Sequence, residues 1–188
     1  MYEIRKESLI LLEKQAQSGS IDVLFGDEVK FSEQGYVPYG WQFADEEIFI
    51  PASKGKSINC FGLFSRKNQF IYEISKKNIN AAFIVKTLDA LSFSITKPTV
   101  VVLDNARIHT ARKVKELLNV WQKRGLYIFY LPPYSPHLNI IERLWKEMKQ
   151  SWIRPQDYQT ADSLFYAIDR VCAAIGKHLF LQYSKAHF

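Results

Sequence analysis

The chain has 188 residues, enough for one domain with a substantial core and too few for two comfortable ones. Its 47% hydrophobic and 14% aromatic content excludes a disordered protein, and it has neither an apolar run long enough to span a membrane nor a signal peptide at Met1-Tyr2-Glu3-Ile4-Arg5. The net charge of +6 is uneven: residues 1–104 sum to −1, residues 105–154 to +7 and residues 155–188 to zero.

Residues 3–17 read as a charged helix with Ile4, Leu9, Leu12 and Ala16 on one side, closed by Ser18-Gly19-Ser20. It is either docked on the core or the remnant of a linker. Residues 21–25 form a short strand leading into Gly26-Asp27-Glu28. Residues 29–50 are irregular and aromatic, with Phe31, Tyr36, Tyr39, Trp41, Phe43 and Phe49 among the turn formers Gly35, Pro38 and Gly40; a β-hairpin excursion fits. Residues 57–64 and 69–74 make a strand pair across the polar turn Ser65-Arg66-Lys67-Asn68.

A helix follows over residues 79–91, and then residues 99–103, apolar on both faces and therefore a central strand. Thr110 N-caps the next helix, whose apolar face is Val114, Leu117, Leu118 and Trp121, and Gly125 ends it. The strand at 126–131 is expected to be parallel to the previous one, because a helix connects them. Asn139 stands as N-cap of the following helix with Glu142 at capping-box spacing, and Ile141, Leu144, Trp145, Met148 and Trp152 form its buried face. The last helix starts near Thr160, buries Leu164, Ile168, Val171, Cys172 and Ile175, and stops at Gly176. Cys60 and Cys172 have no CxxC partner, the pattern of buried thiols in a reducing compartment rather than of a zinc site. The element order predicts an α/β fold, a mixed β-sheet flanked by α-helices on the ribonuclease H-like plan.

Ligands in open α/β sheets gather beyond the carboxyl ends of the strands. Asp104 stands at that end of the predicted central strand, and Asp27 ends the first strand. If those strands are neighbours, the two carboxylates share one edge, and Glu142 completes the set from the first turn of its helix. Hard oxygen ligands of this kind suit magnesium or manganese. Two such ions, about 3.5–4 Å apart, activate a water or hydroxyl and steady the leaving oxygen of a phosphodiester. Bland alternatives stand beside each residue. Asp104-Asn105 could be a simple turn, Glu142 only a capping-box partner, and Asp22, Glu28 or Asp45 could take the place of Asp27. Alternation favours Asp27, which falls on the side of Val23 and Phe25.

The basic segment between and beyond these carboxylates attracts polyanions; its alternative is a solvated surface without a ligand. Arg107, Arg112 and Lys113 are candidate phosphate contacts near a helix N-terminus. Lys146 and Lys149 are candidate DNA contacts beyond Glu142, Lys146 alternatively making an ordinary pair with it. His109 is a candidate to orient a phosphate, to donate to a leaving group, or merely to precede the helix cap. Tyr39 and Trp41 either stack on bases, grip a partner subunit, or pack in the core.

Leu103-Asp104-Asn105-Ala106 with His109, followed by Leu131-Pro132-Pro133-Tyr134-Ser135-Pro136 and Leu138-Asn139-Ile140-Ile141-Glu142, resembles the catalytic core of mariner-like DDE transposases of the bacterial insertion-sequence branch. Asp27-Glu28 after an apolar strand, with Gly40-Trp41 beyond, is similar to that family's first catalytic block. The resemblance spans roughly residues 21–152. It implies a catalytic core at 21–154, with an N-terminal helix or linker at 1–20 and a C-terminal helix and tail at 155–188 packed on it. It implies that Asp27, Asp104 and Glu142 hold two magnesium or manganese ions, cleave DNA at transposon ends and join the freed 3′-hydroxyl to target DNA, commonly at a TA dinucleotide. A homodimer on DNA and a cytoplasmic, nucleoid-associated location in a bacterium follow from the same resemblance.

Ile140 and His137 depart from the family pattern, which has proline and commonly an acidic residue there; Ile140 at the first helical position is expected to have a small effect on stability and none on the chemistry. The family's N-terminal helix-turn-helix modules are also missing before Ile21, so end recognition is expected from elsewhere, such as a separate reading frame. Two other functions use the same residues: a structure-directed nuclease, and a non-catalytic DNA-binding remnant that regulates an intact transposase.

Overall fold

A computed structural model describes residues 2–32 and 55–183. Helix α1 (Tyr2–Gln17) leads into β1 (Asp22–Ser32), β2 (Ser57–Phe64), β3 (Phe70–Ser75), α2 (Ala81–Ser94) and β4 (Thr99–Leu103). There follow α3 (Arg112–Lys115), α4 (Leu118–Lys123), β5 (Leu126–Tyr130), α5 (Ile141–Glu147), a π-helical turn at Met148–Trp152 and α6 (Ala161–Ala174). The strands form one mixed sheet in the order β3-β2-β1-β4-β5. β1, β4 and β5 run parallel, while β2 returns antiparallel between β1 and β3.

Each face of the sheet is buried, which explains why β4 is buried along its length and apolar from Val100 to Leu103. Val23, Phe25, Val29 and Phe31 of β1 pack with Val100 and Val102 against a layer that includes Leu9, Ile141, Leu144, Trp145, Leu164 and Ile168. Leu24 of β1, with Phe61, Leu63, Val101 and Leu103, packs against Ile84, Leu88, Val114 and Trp121 on the other side. α1, α5 and α6 therefore cover one face, and α2, α3 and α4 the other. α1 is docked: Leu9 is buried, and Glu13, also buried, pairs with Arg66. Ile4 is exposed rather than part of its packed side.

Several local expectations change. β1 continues to Ser32 instead of ending at Phe25, because its outer half gains a partner in β2, from Phe25↔Phe64 to Ser32↔Ser57. The aromatic excursion proper, with Tyr39 and Trp41, lies outside the described residues. The helix expected after Thr110 is two short ones. Thr110 does not cap the first; its hydroxyl donates to the Ala106 carbonyl. Gly125 (φ +88°) ends the second, in the left-handed conformation expected of a helix-terminating glycine. Thr160 does cap α6, accepting from Ser163 N. Cys60 and Cys172 are buried free thiols. No helix of the described residues is long and apolar enough to cross a membrane.

Candidate active site

Strand register brings two of the three predicted carboxylates together. β1 and β4 pair in parallel as far as Phe25↔Val102. Two residues further on, the same register sets Asp27 level with Asp104. Asp27 is thus in mid-strand, paired with Gly62 of β2, rather than at a strand tip. Alternation turns it towards the face covered by α5.

Gly62 is what lets α5 approach. A Cβ at this position would lie 2.6 Å from both the Trp145 and Phe70 rings. With hydrogen there instead, the Trp145 ring comes close to the strand at the position opposite Asp27, and Glu142 stands three residues earlier on the same helix. The carboxylates sense one another. Burial, and then the charges of Glu28, Glu142 and Asp104, push the Asp27 carboxyl up to about 8. Burial also raises Glu142, with Asp104 and Glu28 adding to the effect and Lys149 opposing it.

Asp104 is held from a different side. His109 Nδ1 lies 2.6 Å from Asp104 Oδ1, and the Ala106 amide donates to that same oxygen at 2.9 Å. The His109 bond and charge hold the Asp104 carboxyl below the usual carboxylate range. The His109 ring is fully enclosed, and its Nε2 lies 3.1 Å from Glu28 Oε2, though off hydrogen-bond alignment. Burial alone would lower the imidazole, but the Asp104 hydrogen bond and the nearby carboxylates of Glu28 and Asp104 outweigh it and bring it to about 9. Tyr130 Oη donates to the His109 carbonyl at 2.9 Å, tying this loop to β5. The enclosure corrects the expectation of His109 as a DNA contact: a ring with both nitrogens turned to carboxylates has no edge left for a phosphate.

Asn139 also takes a different part from the one expected. α5 begins at Ile141 with no side-chain cap. The buried Asn139 side chain donates instead to the Gly26 carbonyl at 3.2 Å, next to Asp27. Asn105 donates to the Leu131 carbonyl at 2.5 Å, and Leu131 N to the Leu103 carbonyl at 2.9 Å. The segment 132–138 is therefore pinned at one end beside Asp104 and at the other beside Asp27. Fully exposed Tyr134 (φ +56°) lies within it.

Arg107, Arg112, Lys113 and Lys146 are exposed. Arg112 pairs with Glu116 at 2.7 Å. The basic group that Glu142 senses is Lys149, seven residues on along the same helical face, rather than Lys146 one turn away. Burial lowers the Lys149 ammonium, against the pull of Glu142 and Asp27, and it lies 5.6 Å from the Phe31 ring centroid.

Among the described residues, no three acidic, imidazole or thiol groups converge closely enough to enclose an ion as they stand. The donor chemistry nevertheless fits a hard divalent cation, because Asp27, Asp104 and Glu142 offer only carboxylate oxygens. The raised Asp27 carboxyl marks a concentration of negative charge that a cation would relieve. Sequence reading missed two residues of this arrangement. Glu28 entered as a rival to Asp27 and as its neighbour in the first block, with no role of its own, although alternation already set it on the opposite face. Gly62 gave no signal beyond being a glycine inside a strand, a mark of close approach.

A family model described as "DDE superfamily endonuclease" matches residues 22–165. An uncharacterized protein, y4pE/y4sA, of Sinorhizobium fredii (strain NBRC 101917 / NGR234) is 31% identical over 78 residues, 42% of this chain and 51% of that protein. The chain is similar in structure to the Mos1 mariner paired end complex with Mn (TM-score 0.68, 22% identity, covering 90% of this chain and 54% of that one). It is likewise similar to the Mos1 strand transfer complex (TM-score 0.66, 21% identity, covering 92% and 54%). The catalytic domain of Mos1 mariner transposase alone gives a TM-score of 0.58 at 20% identity, covering 92% and 81%. The chain thus spans about half the length of the curated relative and of the Mos1 chains in those complexes. These likenesses establish the ribonuclease H-like fold, and the match over residues 22–165 makes the chain a member of the DDE superfamily endonucleases.

Proposed function

We propose that this chain is the catalytic domain of a DNA transposase that cleaves phosphodiesters at transposon ends and transfers the freed strand into target DNA. The observation that carries this reading is the approach of Asp27, Asp104 and Glu142, from three separate elements, to one edge of the sheet beside a basic segment. Residues 21–154 are the proposed catalytic core, with the N-terminal helix and α6 packed on it.

Asp27, Asp104 and Glu142 would hold two magnesium or manganese ions. Mos1 structures with Mn and with Mg support the choice of metal. When bound, the ions supply activation of the attacking water or 3′-hydroxyl and charge stabilisation at the leaving oxygen. The chain's own part is to present ligands and bind DNA. Asp104, with Oδ1 already engaged, offers Oδ2. Asp27 must give up the proton that its surroundings favour. Lys149 lends positive charge beside Glu142, and Arg107, Arg112, Lys113 and Lys146 lie exposed for phosphate contacts.

Recognition of the ends and action as a homodimer on DNA are proposed for the assembled protein, with a helix-turn-helix region supplied in it by a separate reading frame. Its place of action is the cytoplasm, at the nucleoid in a bacterial host. Manganese-dependent plasmid nicking and strand transfer into a target plasmid test the reading. Activity is expected from the wild type and is expected to be lost in Asp27→Asn, Asp104→Asn and Glu142→Gln. Nicking without strand-transfer product would instead mark a structure-directed nuclease.

A further inference from the structure

Asp27 and Glu28 are neighbours on β1 that face opposite sides of the sheet. Asp27 looks towards α5, whereas Glu28 reaches His109. Glu28 Oε2 and His109 Nε2 are both buried, 3.1 Å apart, and neither has a hydrogen-bond partner among the described residues. The other ring nitrogen of His109 is 2.6 Å from Asp104 Oδ1. One dipeptide therefore carries a proposed metal ligand on one face and, on the other, the start of a chain of contacts ending on a second proposed ligand. Nothing about His109 suits it to bind substrate, because its ring is wholly enclosed.

We propose that Glu28, acting through His109, is a positioning residue for Asp104. It holds the carboxylate with Oδ1 occupied by His109 and the Ala106 amide, so that Oδ2 alone is presented towards Asp27. Single-oxygen presentation at a fixed distance suits the small octahedral magnesium or manganese ion. Calcium accepts two-oxygen ligation and looser geometry. The pair Glu28–His109 thereby contributes to metal selectivity as well as affinity. The inference rests on the reading of Asp104 as a metal ligand.

Titration of manganese and of calcium into the full chain, without DNA, tests it in wild type, Glu28→Ala, Glu28→Gln and Asp104→Asn. Glu28→Ala is expected to weaken manganese binding by about 10–100-fold, the usual effect of removing a group that orients a metal ligand, and calcium binding less. Glu28→Gln, which keeps an acceptor oxygen for His109, is expected to restore most of both the affinity and the manganese-to-calcium ratio. Unchanged manganese binding in Glu28→Ala overturns the proposal, as does an equal loss for both metals. An equal loss in the alanine and glutamine variants also overturns it, since that would assign the effect to charge alone. Should the alanine variant fail to fold, the ¹⁵N spectrum of wild-type His109 decides: Nδ1 is expected to carry a proton directed at Asp104, and an unprotonated Nδ1 overturns the idea. Wild type that binds no manganese, or Asp104→Asn that binds it normally, would instead undo the underlying site reading.

Discussion

Trp145 packs on Gly62, the residue that stands opposite Asp27 in the antiparallel ladder. This one contact sets how near α5 comes to the sheet, and so where Glu142 stands relative to Asp27. Gly62→Ala would force a methyl group against two aromatic rings. It should destabilise the protein by about 1–3 kcal/mol through overpacking. By moving Glu142 it should slow cleavage by up to about 100-fold. Urea unfolding followed by tryptophan fluorescence, alongside nicking rates, separates the two effects.

Asp104→Asn should reduce metal-dependent nicking to background while sparing DNA binding, because binding depends on phosphate contacts that the substitution leaves intact. Filter binding over a range of salt, run beside the nicking assay, checks it. A variant that still nicks DNA in manganese would remove Asp104 from the site.

The metal-free protein should lose stability as pH rises. Asp27 has its carboxyl raised to about 8 by burial and by the charges of Glu28, Glu142 and Asp104. Its folded pKa lies above its unfolded value near 3.8, so the stability it contributes is full below that value and is lost as pH climbs to about 8. His109, raised from 6.5 to about 9, acts in the same direction over a higher window. Asp27→Asn should therefore flatten the lower part of the decline, and manganese should bind wild type more tightly as pH approaches 8, because binding displaces that proton. Unfolding curves in chelator across the window, with and without the substitution, test this; parallel pH profiles would mean that Asp27 is already ionised.

Two lysines should behave differently although both lie beyond Glu142. Lys146 is exposed, and Lys146→Gln should lower the slope of binding against salt by about one, with little effect on the chemical step. Lys149 is half-buried and senses Glu142 and Asp27. Lys149→Gln should slow single-turnover cleavage at saturating DNA and change the salt slope less. Salt titrations and single-turnover rates for both variants make the comparison.

Asn139 discriminates between a helix cap and a strand tie. Asn139→Asp keeps a good capping oxygen but loses the amide that donates to the Gly26 carbonyl. The tie predicts a loss of about 1–3 kcal/mol, the cost of leaving a buried polar group unpaired. A cap would predict wild-type stability. Thermal or urea unfolding of this variant separates the two.

Much of the fold was legible from local pattern. The bounds of β2 and β4 follow from turn residues and apolar runs, and the caps of α6 and the stop at Gly125 from residues with a known conformational preference. Where reading failed, a longer-range partner had changed the local outcome. β1 outran its apolar core because β2 supplied a ladder for seven further residues, from Gly26↔Leu63 to Ser32↔Ser57. Asn139 gave up its capping role because the Gly26 carbonyl lay within reach.

The sequence by itself determined the residue types of the site: three carboxylates, a histidine five residues past one of them, and a basic segment between and beyond. Tertiary structure alone decided their relations. The parallel register of β1 and β4 levels Asp27 with Asp104, the absence of a side chain at Gly62 admits α5, and closure of the loop after β4 buries His109 between Asp104 and Glu28. Spacing along a chain specifies which face a side chain takes, because the strand period is local. It cannot specify which distant group that face will meet, because that depends on pairing and packing between elements far apart in sequence.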